Sequence, residues 1–514
     1  MSFAPCSPMD RKHQVIGCLL VLGAFVVGFA GAFPYAGSWN DGSRLAAVES
    51  VVDHHTLAID DSIFVRVPAD AAATGRAPYP VHNDDLLQFG TRDKLLIRGH
   101  FYSDKPAVIS FLMAGWYWLG ERCGLPPAVQ RPDLFCRMMT VGTSGLAYAV
   151  AVWCIYGFGR RAGLPVPWRM VLSASFALAT VALPYTRHVN NHMLLLGLTA
   201  LLLAQLLQLA DEIGVRRVPW LRLMMIGTLG GLAYNLDLGA GPVLLMCLFP
   251  LVVYRTRRAG LVLLVMMAAA PWLIAHHALN YAIGGTLKPM NTVPEYSQWL
   301  GCPFTPENMT GFWRHGPAQF VVYAIALLFG KHGFVGHNLP LFLLLPAMWH
   351  CRLQIGDCRL KEETGPQRGF KSAIINLKSA ICNLQLPAEL LFGVAWCCGT
   401  WLLYSAFSNN FGGACCSIRW FVPFLAPAYY GLALFLGRFP SYRIDFCILS
   451  GWGVMLGAIM WRSGPWILHM VPLFWPVQAA ALLSWLGYRL ARAEYRVPST
   501  QYSVPSTQYT VPST

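Results

Sequence analysis

Long apolar runs, many of them about the length needed to cross a lipid bilayer, recur along the chain between short polar segments. The first extends from Val15 to Tyr35 and follows Arg11 and Lys12; at about 20 residues it can span the hydrocarbon core. The pattern predicts an all-α polytopic membrane protein with about 12 transmembrane helices, within a range of about 11 to 13. The predicted spans lie near 15–35, 138–158, 168–185, 193–210, 221–238, 241–254, 260–279, 338–350, 387–407, 420–437, 444–461 and 465–487.

Clusters of arginine and lysine between these runs predict which side of the membrane each loop faces. Cytosolic loops carry an excess of Lys and Arg, and the basic clusters all fall on one side if 106–120 and 317–330 are interfacial helices, for which their short length is typical. Both termini are then cytosolic. Ala30-Gly31-Ala32 resembles a signal-peptidase site, but the run is too long for a signal peptide, so we expect an uncleaved anchor. The clusters are Arg160/Arg161/Arg169, Arg216/Arg217/Arg222, Arg255/Arg257/Arg258, Arg352 to Lys378, Arg438/Arg443 and Arg489/Arg492/Arg496.

Composition excludes several classes of protein. Of the 514 residues, 55% are hydrophobic and 12% are charged, whereas soluble domains carry roughly 25% charged residues. The net charge of +14 lies in clusters between apolar runs rather than on one face, so we expect no binding to nucleic acid. The 15 cysteines show no spacing typical of a metal site or a disulfide framework, and we expect them to pack as small apolar side chains.

On this topology, the non-cytosolic side carries three loops with candidates for chemistry. The large first outer loop, 37–133, holds half of the chain's 24 acidic residues, and we expect it to contain interfacial helices. The second outer loop is 280–337, and the third is 408–419. Loops on a rigid scaffold are where catalytic residues concentrate. The tail, 497–514, repeats VPSTQY(S/T) and is predicted to be disordered.

The first candidate is Asp41, which follows the first span in the segment WNDGSRLAAVE. A carboxylate at the outer membrane surface can take a proton from a hydroxyl while a lipid-borne substrate approaches from the bilayer. Apolar residues recur at helical spacing from Ser43 onward, so we expect the loop to enter a short helix capped by Asp41 or Ser43. The residues alone leave both interpretations of Asp41, a base or a cap, open.

Two cations are candidates for binding a phosphate. Lys105, in GHFYSDKP, lies at the head of the first interfacial helix, where it can bind a phosphate or extend to ordinary lipid headgroups. Arg419 follows Gly412 and Gly413, which permit a tight turn that exposes backbone N–H groups, and arginine binds phosphate through two hydrogen bonds. Asp237, near the outer end of a span, is either a functional group or a helix-end acid exposed to water.

Taken in order, these motifs resemble the GT-C membrane glycosyltransferases, in the branch of the protein O-mannosyltransferases and the lipid A aminoarabinose transferases (glycosyltransferase family 39-like). The resemblance covers about residues 12–440. It implies a GT-C-like transmembrane catalytic region over 1–440, with C-terminal transmembrane helices over 441–496 and the tail after them. Further matching motifs are Arg137, Tyr185-Thr186-Arg187, Gly284-Gly285-Thr286-Leu287 and Lys331-His332-Gly333-Phe334.

The resemblance implies transfer of a sugar, with inversion, from a polyprenyl-phosphate donor to a hydroxyl of a lipid, glycan or protein acceptor on the non-cytosolic face. Asp41 matches the family's first-loop acid, the general base on that hydroxyl. Lys105 and Arg419 match the cations that hold the donor phosphate. Asp104 matches an acidic position that contributes to a metal site in some relatives, so a divalent metal is a candidate cofactor. We expect the protein in the inner membrane of a bacterium.

The chain also departs from the family's pattern. Gly42 stands where many relatives carry a second acid, and Ala107 replaces the second proline of the usual KPP. The acid often found outside the third span is replaced by His188 or His192. The residues that we expect to support the site are Arg44, Asp104, Arg187, His188, His192 and Asp237.

Two other classes of function share this number of spans. A transporter or lipid-linked glycan flippase typically places ionisable residues at mid-bilayer and has paired repeats with broken helices. Here the ionisable residues cluster in outer loops, and the halves show no internal similarity. A glycan ligase or polymerase uses the same class of donor but moves whole oligosaccharides. We therefore predict a glycosyltransferase and keep these two classes as alternatives.

Overall fold

The structure is a computed structural model that describes residues 11–494 apart from 75, 214–218, 306, 312, 314, 351–385 and 468. It is mainly helical, with one two-stranded antiparallel sheet. The predictions for the tail and for the basic stretch from 352 to 378 lie outside the described residues. In chain order the elements are α1 Arg11–Gly31, α2 Trp39–Asp53, α3 Ala71–Thr74, α4 Asp84–Phe89, β1 Lys94–Ile97, β2 His100–Ser103, α5 Ala107–Arg122, α6 Pro132–Arg161, α7 Val166–Leu178, α8 Ala182–Tyr185, α9 Asn191–Glu212, α10 Trp220–Leu236, α11 Ala240–Thr256, α12 Ala259–Gly284, α13 Pro317–Phe329, α14 Leu339–His350, α15 Ala388–Phe407, α16 Arg419–Arg438, α17 Arg443–Ser463 and α18 Phe474–Glu494.

Seven of the described helices are long and apolar enough to cross a membrane, and four shorter apolar helices accompany them. Each of the predicted spans has a corresponding helix in the described part of the chain, except that the span predicted at 168–185 is divided between α7 and the short helix α8. The chain is therefore an all-α polytopic membrane protein. The last helix begins at Phe474 rather than near 465, because α17 ends at Ser463 and is followed by Gly464 and Pro465, a pair that cannot continue a helix.

Ion pairs join neighbouring helices at the end of the bundle where the basic clusters fall. Arg161 at the end of α6 contacts Asp211 of α9 at 2.7 Å. Arg255 at the end of α11 contacts Glu389, in the first turn of α15, at 2.6 Å. The loops that carry the candidate residues lie at the opposite ends of these helices, so Arg161 and Arg255 are at the other end of the bundle from the candidate site.

α1 crosses α6 at a pair of glycines. A Cβ atom on Gly28 would lie 3.0 Å from the Cα atom of Gly145, so the two backbones are in contact there, as in other closely packed membrane helices. Gly145 ends a π-helical turn, Val141–Gly145, within α6. Only 22% of the apolar part of α1 is buried, so the position of this helix depends strongly on the crossing.

The first turn of α2 corrects the predicted cap. Ser38, rather than Asp41 or Ser43, is the N-cap, and its hydroxyl accepts a hydrogen bond from the N–H of Asn40 at 3.2 Å. Asp41 occupies the third helical position and accepts the N–H of Ser38 at 2.8 Å, which completes a capping box. Every residue from Asn40 to Ser50 is buried, so α2 is an interior helix.

A β-hairpin, which the sequence analysis did not predict, leads into the segment that carries Lys105. β1 and β2 pair antiparallel with Lys94 opposite Ser103. The turn between them has positive φ angles at Arg98 (53°) and Gly99 (87°), as two-residue hairpin turns require. α5 begins two residues after Lys105, so the predicted position of this lysine at the head of a helix is confirmed.

The two helices predicted to lie at the membrane surface each leave one apolar face exposed. On α5 this face includes Phe111, Leu112, Trp116 and Leu119, which are between 42% and 48% exposed. On α13 it includes Val321, Val322, Ile325 and Phe329. Both sets follow the spacing of one helix face, which is consistent with helices that lie along a lipid surface.

Glu49, in the third turn of α2, is a buried acid that contributes to the pH dependence of stability. Its carboxyl is 1% exposed and accepts hydrogen bonds from the hydroxyl of Ser62 and from the N–H of Ile63 at 3.2 Å. Burial raises the pKa of Glu49 to about 8, although these hydrogen bonds oppose the shift. The folded protein therefore holds a proton at Glu49 at a pH where the unfolded chain has released it.

We expect the Glu49→Gln variant to lose part of the wild-type dependence of stability on pH. A raised folded pKa makes the Glu49 contribution fully present below the unfolded value of 4.5 and progressively lost as pH rises toward 8. Above that pH the variant should gain more than about 1 kcal/mol in unfolding free energy over the wild type. Thermal unfolding in detergent between about pH 5 and pH 9 measures this, with the exposed Asp61→Asn as the control. Parallel profiles for the wild type and Glu49→Gln would contradict the prediction.

Candidate active site

Asp41 is held by the turn that precedes α2. Its Oδ1 accepts the N–H and the hydroxyl of Ser38 at 2.8 and 2.6 Å, and its Oδ2 accepts the N–H of Gly37 at 2.7 Å. Nδ1 of His188 lies 3.1 Å from the same Oδ2, and both side chains are almost fully buried. The histidine ring stacks on Phe33 with the ring centroids 4.8 Å apart. The carboxylate therefore has one fixed position and an imidazole neighbour from the loop after the third span.

Lys105 is paired with two carboxylates. Its Nζ donates to Asp93 at 2.8 Å and to Asp104 at 2.6 Å. Asp104 also accepts the hydroxyl of Ser43, which lies 2.7 Å from that of Ser103. Only 11% of the lysine side chain is exposed, so it does not extend to ordinary lipid headgroups. An ammonium group has three N–H donors, and two are used here, which leaves one for a ligand.

The two carboxylates respond differently to the shared ammonium. Burial raises the pKa of Asp93, but the charge and hydrogen bond of Lys105, helped by the charges of Arg419 and Arg44, bring that pKa below its ordinary value. Burial also raises the pKa of Asp104, and together with repulsion by Asp93 it outweighs the attraction of Lys105. Asp104 is therefore the member of this pair that takes up a proton more readily.

Arg44 and Arg419 are cations for which the described residues supply no carboxylate within ion-pair distance. Arg44 lies on α2 and is 5% exposed, and its Nε is buried with no hydrogen-bond partner. The Nε of Arg419 is likewise buried without a partner. Burial lowers the pKa of Arg44 to about 10; the charge of Asp104 opposes this shift, and that of Arg419 adds to it. A buried guanidinium without a direct counter-ion is costly, and an anionic ligand would compensate it.

The charge of Arg44 interacts with those of Asp41, Asp104 and Arg419. The first outer loop and the third therefore bring their charged residues within electrostatic range of one another. Asp93 and Asp104 bind Lys105, and Asp41 binds the turn before α2. Among the described residues, the positive charges without a direct carboxylate partner are therefore those of the two arginines. The set consists of three cations, Arg44, Lys105 and Arg419, and three carboxylates, Asp41, Asp93 and Asp104.

The paired glycines before Arg419 form the predicted tight turn. Gly412 and Gly413 have φ angles of 87° and 82°, in the left-handed region that glycine tolerates. The N–H of Gly412 donates to Oδ1 of Asn410 at 2.9 Å, so this N–H is satisfied within the loop. The anion-binding capacity of the loop therefore depends on the Arg419 side chain.

His192 and Asp237 form a second buried pair, with Nδ1 of the histidine 3.3 Å from Oδ2 of the aspartate. Oδ1 of Asp237 accepts the hydroxyl of Tyr404 at 2.7 Å and the N–H groups of Gly239 and Ala240 at 2.8 and 2.9 Å. Asp237 thus caps α11 from a buried position, and the interpretation of an acid exposed to water is wrong.

Arg187 links the outer ends of α1 and α17. Its Nε donates to the carbonyl of Gly31 at 3.2 Å, and its guanidinium also donates to the carbonyl of Trp461. The same group lies 3.8 Å from the ring centroid of Phe33. The guanidinium of Arg187 is therefore bound by two carbonyl groups and an aromatic ring, contacts that connect helices and have a structural role.

The residues around Asp104 do not fit a divalent metal. Among the described residues no three His, Cys, Asp or Glu side chains are placed to share an ion. The two carboxylates that come together, Asp93 and Asp104, have the ammonium of Lys105 between them. A cation of the chain itself therefore occupies the position that a metal would need.

A small cavity of about 10 Å³ lies next to Lys105. Ser103, Lys105 and Ser110 provide its polar wall, and Leu57, Ile283 and other apolar side chains provide the rest. Ile283 belongs to the outer end of α12, so the cavity joins the Lys105 cluster to an apolar membrane helix. Asp41 and Arg419 do not line it.

Three residues near these groups were not singled out from the sequence. Asp93 was one of many acids in the first outer loop, and only its ion pair with Lys105 distinguishes it. Tyr404 lies inside an apolar helix, where a tyrosine carries no pattern that marks a partner such as Asp237. Trp466 lies in the turn between α17 and α18, and its neighbours come from distant parts of the chain.

No protein-family model matches the chain, and no curated protein matches it by sequence. The solved structures similar to it include two of ArnT from Cupriavidus metallidurans, one bound to undecaprenyl phosphate and one in the apo state. They are 12% and 13% identical to this chain, with TM-scores of 0.44 and 0.43, and each comparison covers 94% of this chain and 77% of the ArnT chain. Structural similarity at these TM-scores carries no argument about the chemistry of this chain.

Proposed function

We propose that the chain is an integral membrane glycosyltransferase that moves a sugar from a polyprenyl-phosphate donor to an acceptor hydroxyl, with inversion. One observation carries this proposal: Arg44 and Arg419 have no direct carboxylate partner among the described residues, and the charge of Arg44 interacts with that of Asp41. Paired guanidinium groups are suited to a phosphate. A carboxylate nearby is suited to a hydroxyl that must lose its proton.

The proposal places these groups on the non-cytosolic face of the membrane. Basic residues of the described part of the chain, such as Arg161 and Arg255, lie at the opposite end of the bundle, and loops rich in Lys and Arg remain in the cytosol. Both termini are then cytosolic, and the membrane we propose is the inner membrane of a bacterium. The small cavity beside Lys105 is also lined by Ile283 at the outer end of α12, so an apolar membrane helix adjoins the proposed phosphate site.

In the proposed reaction the acceptor oxygen attacks the anomeric carbon while the bond from that carbon to the phosphate oxygen breaks. The electron pair of that bond leaves with the polyprenyl phosphate, whose charge Arg44, Arg419 and the free N–H of Lys105 stabilise. Asp41 takes the proton of the acceptor hydroxyl. The hydroxyl of Ser38, which contacts Oδ1 of Asp41, can rotate away so that the acceptor hydroxyl takes its place.

A transfer assay tests the proposal against the two alternatives. Purified protein is incubated with sugar-labelled geranylgeranyl phosphate esters of mannose, glucose and arabinose, together with membranes from cells that lack this chain. We expect the label from one ester to appear in a lipid, glycan or protein fraction as a single added sugar. Movement of an ester across sealed vesicles without product would instead identify a flippase. A product heavier by a whole oligosaccharide would identify a ligase or polymerase.

A further inference from the structure

Trp466 is a neighbour of both groups that the proposed reaction needs. Its ring centroid is 6.1 Å from that of His188, the imidazole that contacts Asp41. The guanidinium carbon of Arg419 lies 5.7 Å from the centroid of the indole. The indole therefore adjoins both the candidate base and the candidate phosphate site.

Several contacts fix Trp466 in this position. The carbonyl of Pro465, its neighbour, accepts the N–H of Cys416 from the third outer loop at 2.9 Å. The ring of Tyr185 packs edge-on against the indole at 6.1 Å. A Cβ on Gly37 would lie 2.6 Å from Cδ1 of the indole and 2.5 Å from Cε1 of His188. Only a residue without a side chain lets the first loop approach both rings at this point.

Polar atoms around this indole are buried without partners. Within the described part of the chain, the Nε1–H of Trp466 has no acceptor, and the hydroxyl of Ser417 and the Nε of Arg419 have no hydrogen-bond partner. Buried donors in folded proteins are nearly always hydrogen-bonded, and exceptions call for an explanation such as a ligand. Two of the three residues lie in the third outer loop, and the Ser417 carbonyl accepts the hydroxyl of Tyr185, which packs on the same indole.

We propose that Trp466 is the platform for the sugar ring of the donor, an inference that rests on the proposed function. A pyranose or furanose ring has an apolar face of C–H groups that packs on an indole and hydroxyl groups at its rim. One such hydroxyl accepts the Nε1–H of Trp466. The ring is then held with its phosphate toward Arg419 and its opposite side toward Asp41, which is the arrangement that inversion requires.

Binding of matched ligands to three variants tests this inference. The ligands are geranylgeranyl phosphate and its mannosyl, glucosyl and arabinosyl esters. Trp466→Phe keeps the ring but removes the donor, and we expect it to weaken binding of the preferred ester about fivefold to tenfold. Trp466→Leu should weaken it further, to the affinity of the bare lipid phosphate. Binding of geranylgeranyl phosphate itself should change less than about twofold in both variants.

The control is Trp475→Leu, the same substitution at a tryptophan on α18 whose side chain is 52% exposed. This variant should bind all four ligands with the affinity of the wild type. The platform is refuted if Trp466→Leu weakens the bare phosphate and its esters by the same factor, or leaves the esters unchanged. It is equally refuted if no ester binds the wild type more tightly than the bare phosphate. Failure of the wild type to bind geranylgeranyl phosphate at all would count against the proposed phosphate site itself.

Discussion

Asp41→Asn is expected to abolish sugar transfer while the protein still inserts into the membrane and is produced at normal levels. The amide has the shape of the carboxylate but cannot take the proton of an acceptor hydroxyl. Loss of a general base costs about a hundredfold to ten-thousandfold in rate. Initial rates with the preferred geranylgeranyl phosphate ester, measured beside the fraction of protein in the membrane, check this expectation.

The same substitution also weakens the capping box of α2, so its effect on folding must be separated from its effect on chemistry. Ser38→Ala removes the N-cap hydroxyl and one hydrogen bond to Asp41 but leaves the carboxylate in place. Loss of an N-cap costs about 1 kcal/mol in stability. We expect Ser38→Ala to destabilise the protein by about this amount and to slow transfer less than tenfold. Full activity of Asp41→Asn would reject Asp41 as the base.

Arg44→Gln and Arg419→Gln are each expected to weaken binding of geranylgeranyl phosphate by about ten- to one-hundredfold. Each arginine would supply a charge-assisted hydrogen bond to the phosphate, and such bonds are worth about 1.5–3 kcal/mol. Each variant removes a guanidinium whose Nε is buried without a hydrogen-bond partner among the described residues, and neither arginine has a described carboxylate within ion-pair distance that would be left unpaired. Titration of the purified variants with the lipid phosphate in detergent gives the affinities directly.

Arg66→Gln is the control for this pair, because it removes a positive charge from the same outer loop at an exposed site. Arg66 and its partner Asp61 are each 71% exposed, and exposed ion pairs contribute little. The affinity of the Arg66→Gln variant for the lipid phosphate should equal that of the wild type. If Arg66→Gln lost as much affinity for the lipid phosphate as Arg44→Gln and Arg419→Gln, the effect would be a general one of net charge. That result would argue against a specific site.

Much of the fold could be predicted because the bilayer imposes it. Backbone groups in hydrocarbon must be satisfied within each segment, so an apolar run of sufficient length becomes a helix. The hairpin that precedes Lys105 was missed because its strands have four residues each, too few for a period of two to be recognised. Ser38 was missed as the cap because the apolar spacing used to locate the helix begins after it.

The candidate site was predicted unevenly for a different reason. Asp41, Lys105 and Arg419 stand in motifs whose local composition suggests chemistry, and the charge of Arg44 interacts with those of Asp41 and Arg419. Which acid pairs with Lys105, and which aromatic ring lies beside Arg419, depends on contacts between distant segments. Asp93 and Trp466 have no local pattern that identifies them, so only the packing of the loops reveals their positions.

The crossing of Gly28 over Gly145 has a consequence for the depth at which the reaction would occur. α1 leads directly into the turn that holds Asp41, so any slip of this helix along its axis displaces the carboxylate by the same distance. A slip of one turn would be about 5.4 Å, which is longer than a hydrogen bond. Two residues without side chains, one on α1 and one on α6, therefore help to set the position along the bundle axis of Asp41, the proposed base.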